Sequence, residues 1–258
     1  MRILPGVARF PVVFIAGVGH SGSNLLSRLL ARHPRLFCAG EVAWADYAVA
    51  KAIPCTCGAP YAACPYWGPL LPRLAARGYD HRRYDQELFL ALRAASGADV
   101  LIDNSKTRAW RMARRWRGVG FILLVRDARG VLAAALRKGG DLDRLLRRHR
   151  KWTRRFARLA QRRPRDTLIL RYEDLVQRTA PELERVAAFL GVEPDPALLF
   201  SSARPYHFMY SQKTADLDRG HAVRLDERWR AELRPDDAAR IAASLRSVRL
   251  YRELYPAP

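Results

Sequence analysis

The residues best suited to chemistry begin at Gly17. The segment Gly17 to Leu26 (GVGHSGSNLL) follows an apolar run and opens a leucine-rich stretch at helical spacing. Glycines let the backbone turn tightly, and the free N–H groups at the start of the following helix favour an anion. Gly17 and Gly22 have the spacing of a nucleotide-binding P-loop, but Ser23 stands where that loop carries its lysine. A hydroxyl cannot supply the charge that an NTPase places on the β- and γ-phosphates, so the loop suits phosphate but not ordinary ATP hydrolysis. A second anion ligand closes another apolar run, FILLVRDARGV from Phe121 to Val131. There Arg126 offers a fork-shaped, always-charged guanidinium. A third group is sulfur: Cys55, Cys57 and Cys64 lie close together, with Cys38 a candidate fourth. Structural zinc prefers C-x-x-C pairs, so C-x-C plus one cysteine reads as loop packing, and no metal is assigned.

Elements of alternating type must hold these groups. Strands are expected at Val12–Ala16, Leu36–Cys38, Val100–Asp103, Phe121–Val125 and Thr167–Leu170, each nearly all apolar, as in a parallel sheet buried on both faces. Helices are expected at Ser23–Arg32, Asp85–Ala95, Arg108–Arg115, Ala128–Arg137, Leu142–Arg163 and Pro181–Leu190. The pattern gives one α/β domain over residues 1–258, with a mostly parallel central sheet flanked by helices and an irregular insertion at about 53–84.

In three places the chain resembles sulfotransferases that use 3′-phosphoadenosine 5′-phosphosulfate (PAPS), including bacterial sulfotransferase-like proteins of P-loop fold. The loop HSGSNLL from His20 is similar to their R-S-G-T-T-L-L, with His20 for the arginine and Asn24 for a threonine. The run ending Val125-Arg126-Asp127 resembles their 3′-phosphate segment, although Ala134 stands where they carry a serine. The stretch LRYEDLV from Leu170, followed by FLGV from Phe189, resembles their Y-E-D-L and F-L-G pattern, and the segment from Asp226 to Trp229 resembles their C-terminal part. The resemblance implies a P-loop-like sulfotransferase fold and a donor site made of Gly19, His20, Ser21, Gly22, Ser23, Asn24, Arg126, Arg171 and Tyr172. Sulfuryl transfer needs a base for the acceptor hydroxyl and cations along the phosphosulfate, and by this logic no metal. Glu41, after a His33-Pro34…Gly40 stretch similar to that of tyrosylprotein sulfotransferases, takes the place of the base, with His20 and Asp103 as runners-up. Lys106 takes the place of the family's charge-neutralising lysine. It is one of only five lysines in the chain.

Charge bears on partners. The chain carries 46 Lys+Arg against 25 Asp+Glu, a net +21, mostly through arginine. Part of that bias is what GC-rich coding gives; the rest points to an anionic partner. Residues 144–165 hold 11 basic residues and no acid, with an apolar stripe of Leu145, Leu146, Trp152, Phe156 and Leu159. A solvated helix face is the plain reading; steering an anionic donor, gripping an anionic acceptor or resting on acidic membrane are the functional ones. Nucleic-acid binding lacks any recognised module. Disorder, a disulfide scaffold and a membrane span are excluded by composition, four cysteines and the shortness of the apolar runs. The N-terminal apolar run enters a Gly-rich turn rather than a cleavage site, which predicts a cytoplasmic protein. The expected activity is sulfuryl transfer from PAPS to a hydroxyl of a carbohydrate, lipid or small metabolite. A P-loop small-molecule kinase and a non-catalytic polyanion-binding protein are the alternatives.

Overall fold

The computed structural model describes residues 8–195, 206–210 and 223–256. Five strands, β1 (Val12–Ala16), β2 (Leu36–Gly40), β3 (Val100–Asp103), β4 (Val119–Val125) and β5 (Thr167–Arg171), form one parallel sheet in the order β2-β3-β1-β4-β5. Every expected strand is present: β1 and β3 have the expected bounds, and β2, β4 and β5 each run one or two residues longer at one end. β1 lies at the centre of the sheet and reverses the strand order, so its carboxyl end is the crevice where open α/β sheets bind ligands.

Because side chains alternate across a strand, the sheet feeds two cores. Val12, Phe14, Phe121 and Leu123 face one layer. It contains α2 (Ala45–Ala50), α3 (Leu71–Ala76), α4 (Gln86–Ser96), α5 (Thr107–Ala113), α6 (Ala128–Leu136), α7 (Leu142–Arg162), α11 (Pro235–Ser244) and α12 (Arg249–Leu254). Val13, Ile15, Ile122 and Leu124 face the other layer, made of α1 (Ser23–Ala31), α8 (Tyr172–Gln177) and α9 (Thr179–Leu190). The short α10 (Trp229–Glu232) lies in the C-terminal part.

The stretch read as an irregular insertion is more ordered than expected. It contains α3 and two single turns, and it buries Tyr61, Cys64, Trp67, Leu70 and Leu74 in the first layer. Prolines at 54, 60, 65, 69 and 72 break any apolar period there, which hides a core segment from pattern reading. The apolar stripe of α7 is also spent on the core: Leu146, Trp152, Phe156 and Leu159 are buried. Only its basic face is left outward, so contact with an acidic surface would have to work through charge. No helix among the described residues is long and apolar enough to cross a membrane.

Candidate active site

The loop after β1 is shaped by close approaches. A Cβ on Gly17 would lie 2.8 Å from the Leu124 carbonyl oxygen of neighbouring β4. Gly22 caps α1 in the left-handed region at φ +95°, and a Cβ there would lie 2.5 Å from the Tyr172 ring. Tyr172, buried at the start of α8, therefore closes over the loop. Gly19 is exposed, and Ser21 and Ser23 are buried beneath it. His20 adopts φ +68°. It turns its carbonyl toward Arg126.

Arg126 sits at the carboxyl end of β4 and is 7% exposed. Its guanidinium donates to the His20 carbonyl at 3.1 Å and to the Asp226 carbonyl at 2.8 Å, and pairs with the Asp226 carboxylate at 3.2 Å. It lies 4.3 Å over the Tyr172 ring, and Gly130 of α6 leaves room for it. Hydrogen bonds from Arg228 and then from Arg126 hold the Asp226 carboxyl well below the usual carboxylate range. The fork thus already grips an anion supplied by the chain itself. Ala134 is buried on α6. Arg171 is turned elsewhere: it lies 4.7 Å over the Tyr255 ring and 3.4 Å from a Glu173 carboxylate oxygen. The structure joins Tyr172 to the loop and groups Arg171 with that outer cluster.

On the other side of β1, the ends of β2 and β3 bring Glu41 and Lys106 into an ion pair across 65 residues. Both are mostly covered, at 13% and 15% exposure. Lys106 precedes α5 at φ +56°, a conformation that strains a side-chain-bearing residue. Such strain persists only where the surroundings enforce it, and it concentrates at functional sites.

The enforcing residues are its neighbours. Asp103 is fully buried and accepts from Val42 N–H (3.1 Å), Ser105 N–H (2.8 Å) and Ser105 Oγ–H (2.9 Å). Ser105 Oγ in turn accepts from Ala43 N–H at 3.1 Å. These bonds tie the Glu41 turn to the Lys106 turn. Burial pushes the Asp103 carboxyl up to about 7, against those donors. Asn104 donates to Asn24 Oδ1 at 3.1 Å and to Ser27 Oγ at 3.0 Å, fastening the same turn to the loop after β1. Asp103, a runner-up base by sequence, is fully buried and enclosed in scaffold bonds, while Glu41 keeps 13% of its side chain exposed. Asn104, Ser105 and Asp226 are the contributors that sequence reasoning passed over. The polar triplet between a buried strand end and Lys106 was the available signal for the first two.

Beside Lys106, helices α5 and α7 enclose a cleft of about 480 Å³ lined by Arg108, Arg111, Arg144, Arg147, Arg148 and Lys151, with Thr107 and Trp152. Arg108 stacks 3.6 Å over Trp44 and donates to the Ala43 carbonyl, so one wall of the cleft is fixed to the Glu41 turn.

No protein-family model and no curated protein matches the sequence. Among solved structures, the chain is similar to the sulfotransferase domain of the Synechococcus PCC 7002 olefin synthase. The TM-score is 0.65 and the identity 18%, over 100% of this chain and 99% of that one. It is also similar to the sulfotransferase domain of the curacin biosynthetic pathway, with TM-score 0.58 and 18% identity over 95% of this chain and 98% of that one. The fold is the one those sulfotransferase domains share, a parallel α/β sheet flanked by helices.

Proposed function

We propose that the chain is a sulfotransferase that takes the sulfuryl group of PAPS to an acceptor hydroxyl. The observation that carries the reading is the Glu41–Lys106 pair, fastened through Asp103, Ser105 and Asn104 to a glycine-cradled loop on the central strand. The loop backbone from Gly19 to Asn24 holds the phosphosulfate, and Arg126 clamps the 3′-phosphate after exchanging Asp226 for it. Lys106 turns from Glu41 to the bridging oxygen of the donor, where negative charge grows. Freed of its partner, Glu41 takes the acceptor's proton as the acceptor oxygen bonds to sulfur. The donor supplies the sulfuryl group and leaves as adenosine 3′,5′-bisphosphate. His20, if protonated, adds positive charge at the loop.

The cationic cleft beside Lys106 supports an acceptor that carries anionic groups of its own, whether carbohydrate, lipid or small metabolite. Ser23 in the place of the P-loop lysine argues against the kinase reading. Thermal shift with two nucleotides separates the three readings. Adenosine 3′,5′-bisphosphate is expected to raise Tm more than ATP–Mg does. The reverse order would favour a kinase, and no shift with either would favour a polyanion-binding protein.

A further inference from the structure

By spacing, C-x-C plus a single cysteine fits structural zinc imperfectly, and Cys38, the candidate fourth, packs in the opposite core layer, so the cluster needs another ligand. The fold supplies one. His207 lies 143 residues after Cys64, and the two meet with Sγ and Nδ1 3.4 Å apart. One ligand atom from each of Cys55, Cys57, Cys64 and His207 lies within 4.8 Å of all the others. Tetrahedral zinc with Zn–S near 2.3 Å and Zn–N near 2.0 Å places its ligand atoms about 3.5–3.8 Å apart, so small side-chain adjustments close the shell. Cys55 and Cys64 are each 1% exposed, and no cysteine is paired in a disulfide. Packing alone would not require an imidazole nitrogen among three thiols.

The surroundings hold these ligands in place. A tight turn, with Gly58 N–H bonded to the Cys55 carbonyl at 2.8 Å, brings Cys55 and Cys57 to the same side. Trp67 Nε1–H donates to the His207 carbonyl at 2.6 Å, and Tyr66 meets the His207 ring at 4.5 Å. Thr56, between the two cysteines, donates to the Tyr206 carbonyl at 2.7 Å and accepts from Phe208 N–H at 2.9 Å.

We propose that Cys55, Cys57, Cys64 and His207 form a structural zinc site that pins residues 206–210 to the cysteine loop. Three thiolates and one imidazole in a closed tetrahedron suit zinc, and four protein ligands leave no position for substrate. Binding displaces the thiol protons to solvent and leaves the metal's oxidation state unchanged. The pinned segment then reaches the crevice. Met209 N–H donates to the Ala39 carbonyl at 2.7 Å, and Glu41 N–H donates to the Met209 carbonyl at 2.8 Å. The metal would anchor the segment against which the Glu41 turn is set.

The test is metal analysis of chain purified without chelator, with cobalt(II) substitution as the second readout. About one zinc per chain is expected, and the cobalt form should show tetrahedral d–d bands with thiolate-to-cobalt charge transfer. His207→Ala should weaken metal retention against a chelator at least ~10-fold, taking the lower end of what loss of even a supporting group costs. His207→Cys should keep the metal with a changed cobalt spectrum. Cys38→Ala should keep it unchanged, since Cys38 is packed in the opposite core layer. If His207→Ala does not fold, the wild-type stoichiometry and the other two variants still decide. The proposal is overturned by substoichiometric zinc that reduced protein does not take up on addition, by a cobalt spectrum without sulfur ligation, or by a disulfide among the three cysteines. None of these readouts depends on sulfuryl transfer.

Discussion

Replacing Glu41 with glutamine should slow turnover while tightening the grip on the nucleotide product. In the resting chain Lys106 is neutralised by Glu41, and the donor must draw it away. At 13% and 15% exposure the pair lies between a surface ion pair, worth about 0–1 kcal/mol, and a buried one, whose breaking costs about 3–5 kcal/mol. Taking about 1–2 kcal/mol for the competition, its removal corresponds to roughly 5–30-fold in affinity. Calorimetric titration of wild type and Glu41→Gln with adenosine 3′,5′-bisphosphate reads this directly. The same variant should lose at least ~100-fold in turnover, the scale for removing a general base. Lys106→Ala should lose turnover on the same scale, through its charge on the leaving group, and should weaken product binding instead. Unchanged or weaker product binding by Glu41→Gln would refute the exchange of partners. Near-normal turnover would remove Glu41 from the chemistry.

Other consequences follow from the same geometry. Gly22→Ala must adopt φ +95° and displace the Tyr172 ring, for an expected loss of about 2–4 kcal/mol in urea unfolding. In a Tyr172→Ala background the loss should shrink to the backbone part of about 1–2 kcal/mol, and an undiminished loss would show that the ring is not the obstacle. Asp103 has its folded value pushed to about 7 from 3.8, so the fold binds its proton more tightly than the unfolded chain does. That contribution is complete below about pH 4 and is lost as pH rises through about 7. Melting curves of wild type and Asp103→Asn should therefore move apart against the wild type over that window, and a flat difference would contradict the assignment. Reversing charge at Arg147 and Arg148 should raise the acceptor KM about tenfold and flatten its salt dependence, with product affinity little changed. Loss of acidic-vesicle binding with an unaltered acceptor KM would instead assign the basic face to a membrane surface.

What the sequence disclosed depended on how local the signal was. Val12–Ala16 and Phe121–Val125 are apolar on both faces because helices cover both sides of the sheet, and such runs are readable without neighbours. The loop from Gly17 and the strand-end position of Arg126 were readable for the same reason. Their partners were not, since Asp226 meets Arg126 across 100 residues and Asn104 meets Asn24 across 80. The proline-broken stretch around Trp67 hid its core role because no period survives there. The cysteines were visible, but the histidine that completes their cluster comes from a distant segment, brought alongside by pairing at Gly40 and Met209 and by hydrogen bonds from Thr56 and Trp67. Arg171 shows the converse: its place in a motif suggested nucleotide contact, while its nearest carboxylates and Tyr255 draw it to the outer cluster.

The most direct measurement uses sulfur-labelled PAPS, the purified chain and an extract of the cells that make it. The account predicts transfer of label to a product carrying a new sulfate ester, release of adenosine 3′,5′-bisphosphate in equal amount, and loss of both in Lys106→Ala. No labelled product from folded, nucleotide-binding protein, or equal transfer by Lys106→Ala, would contradict it.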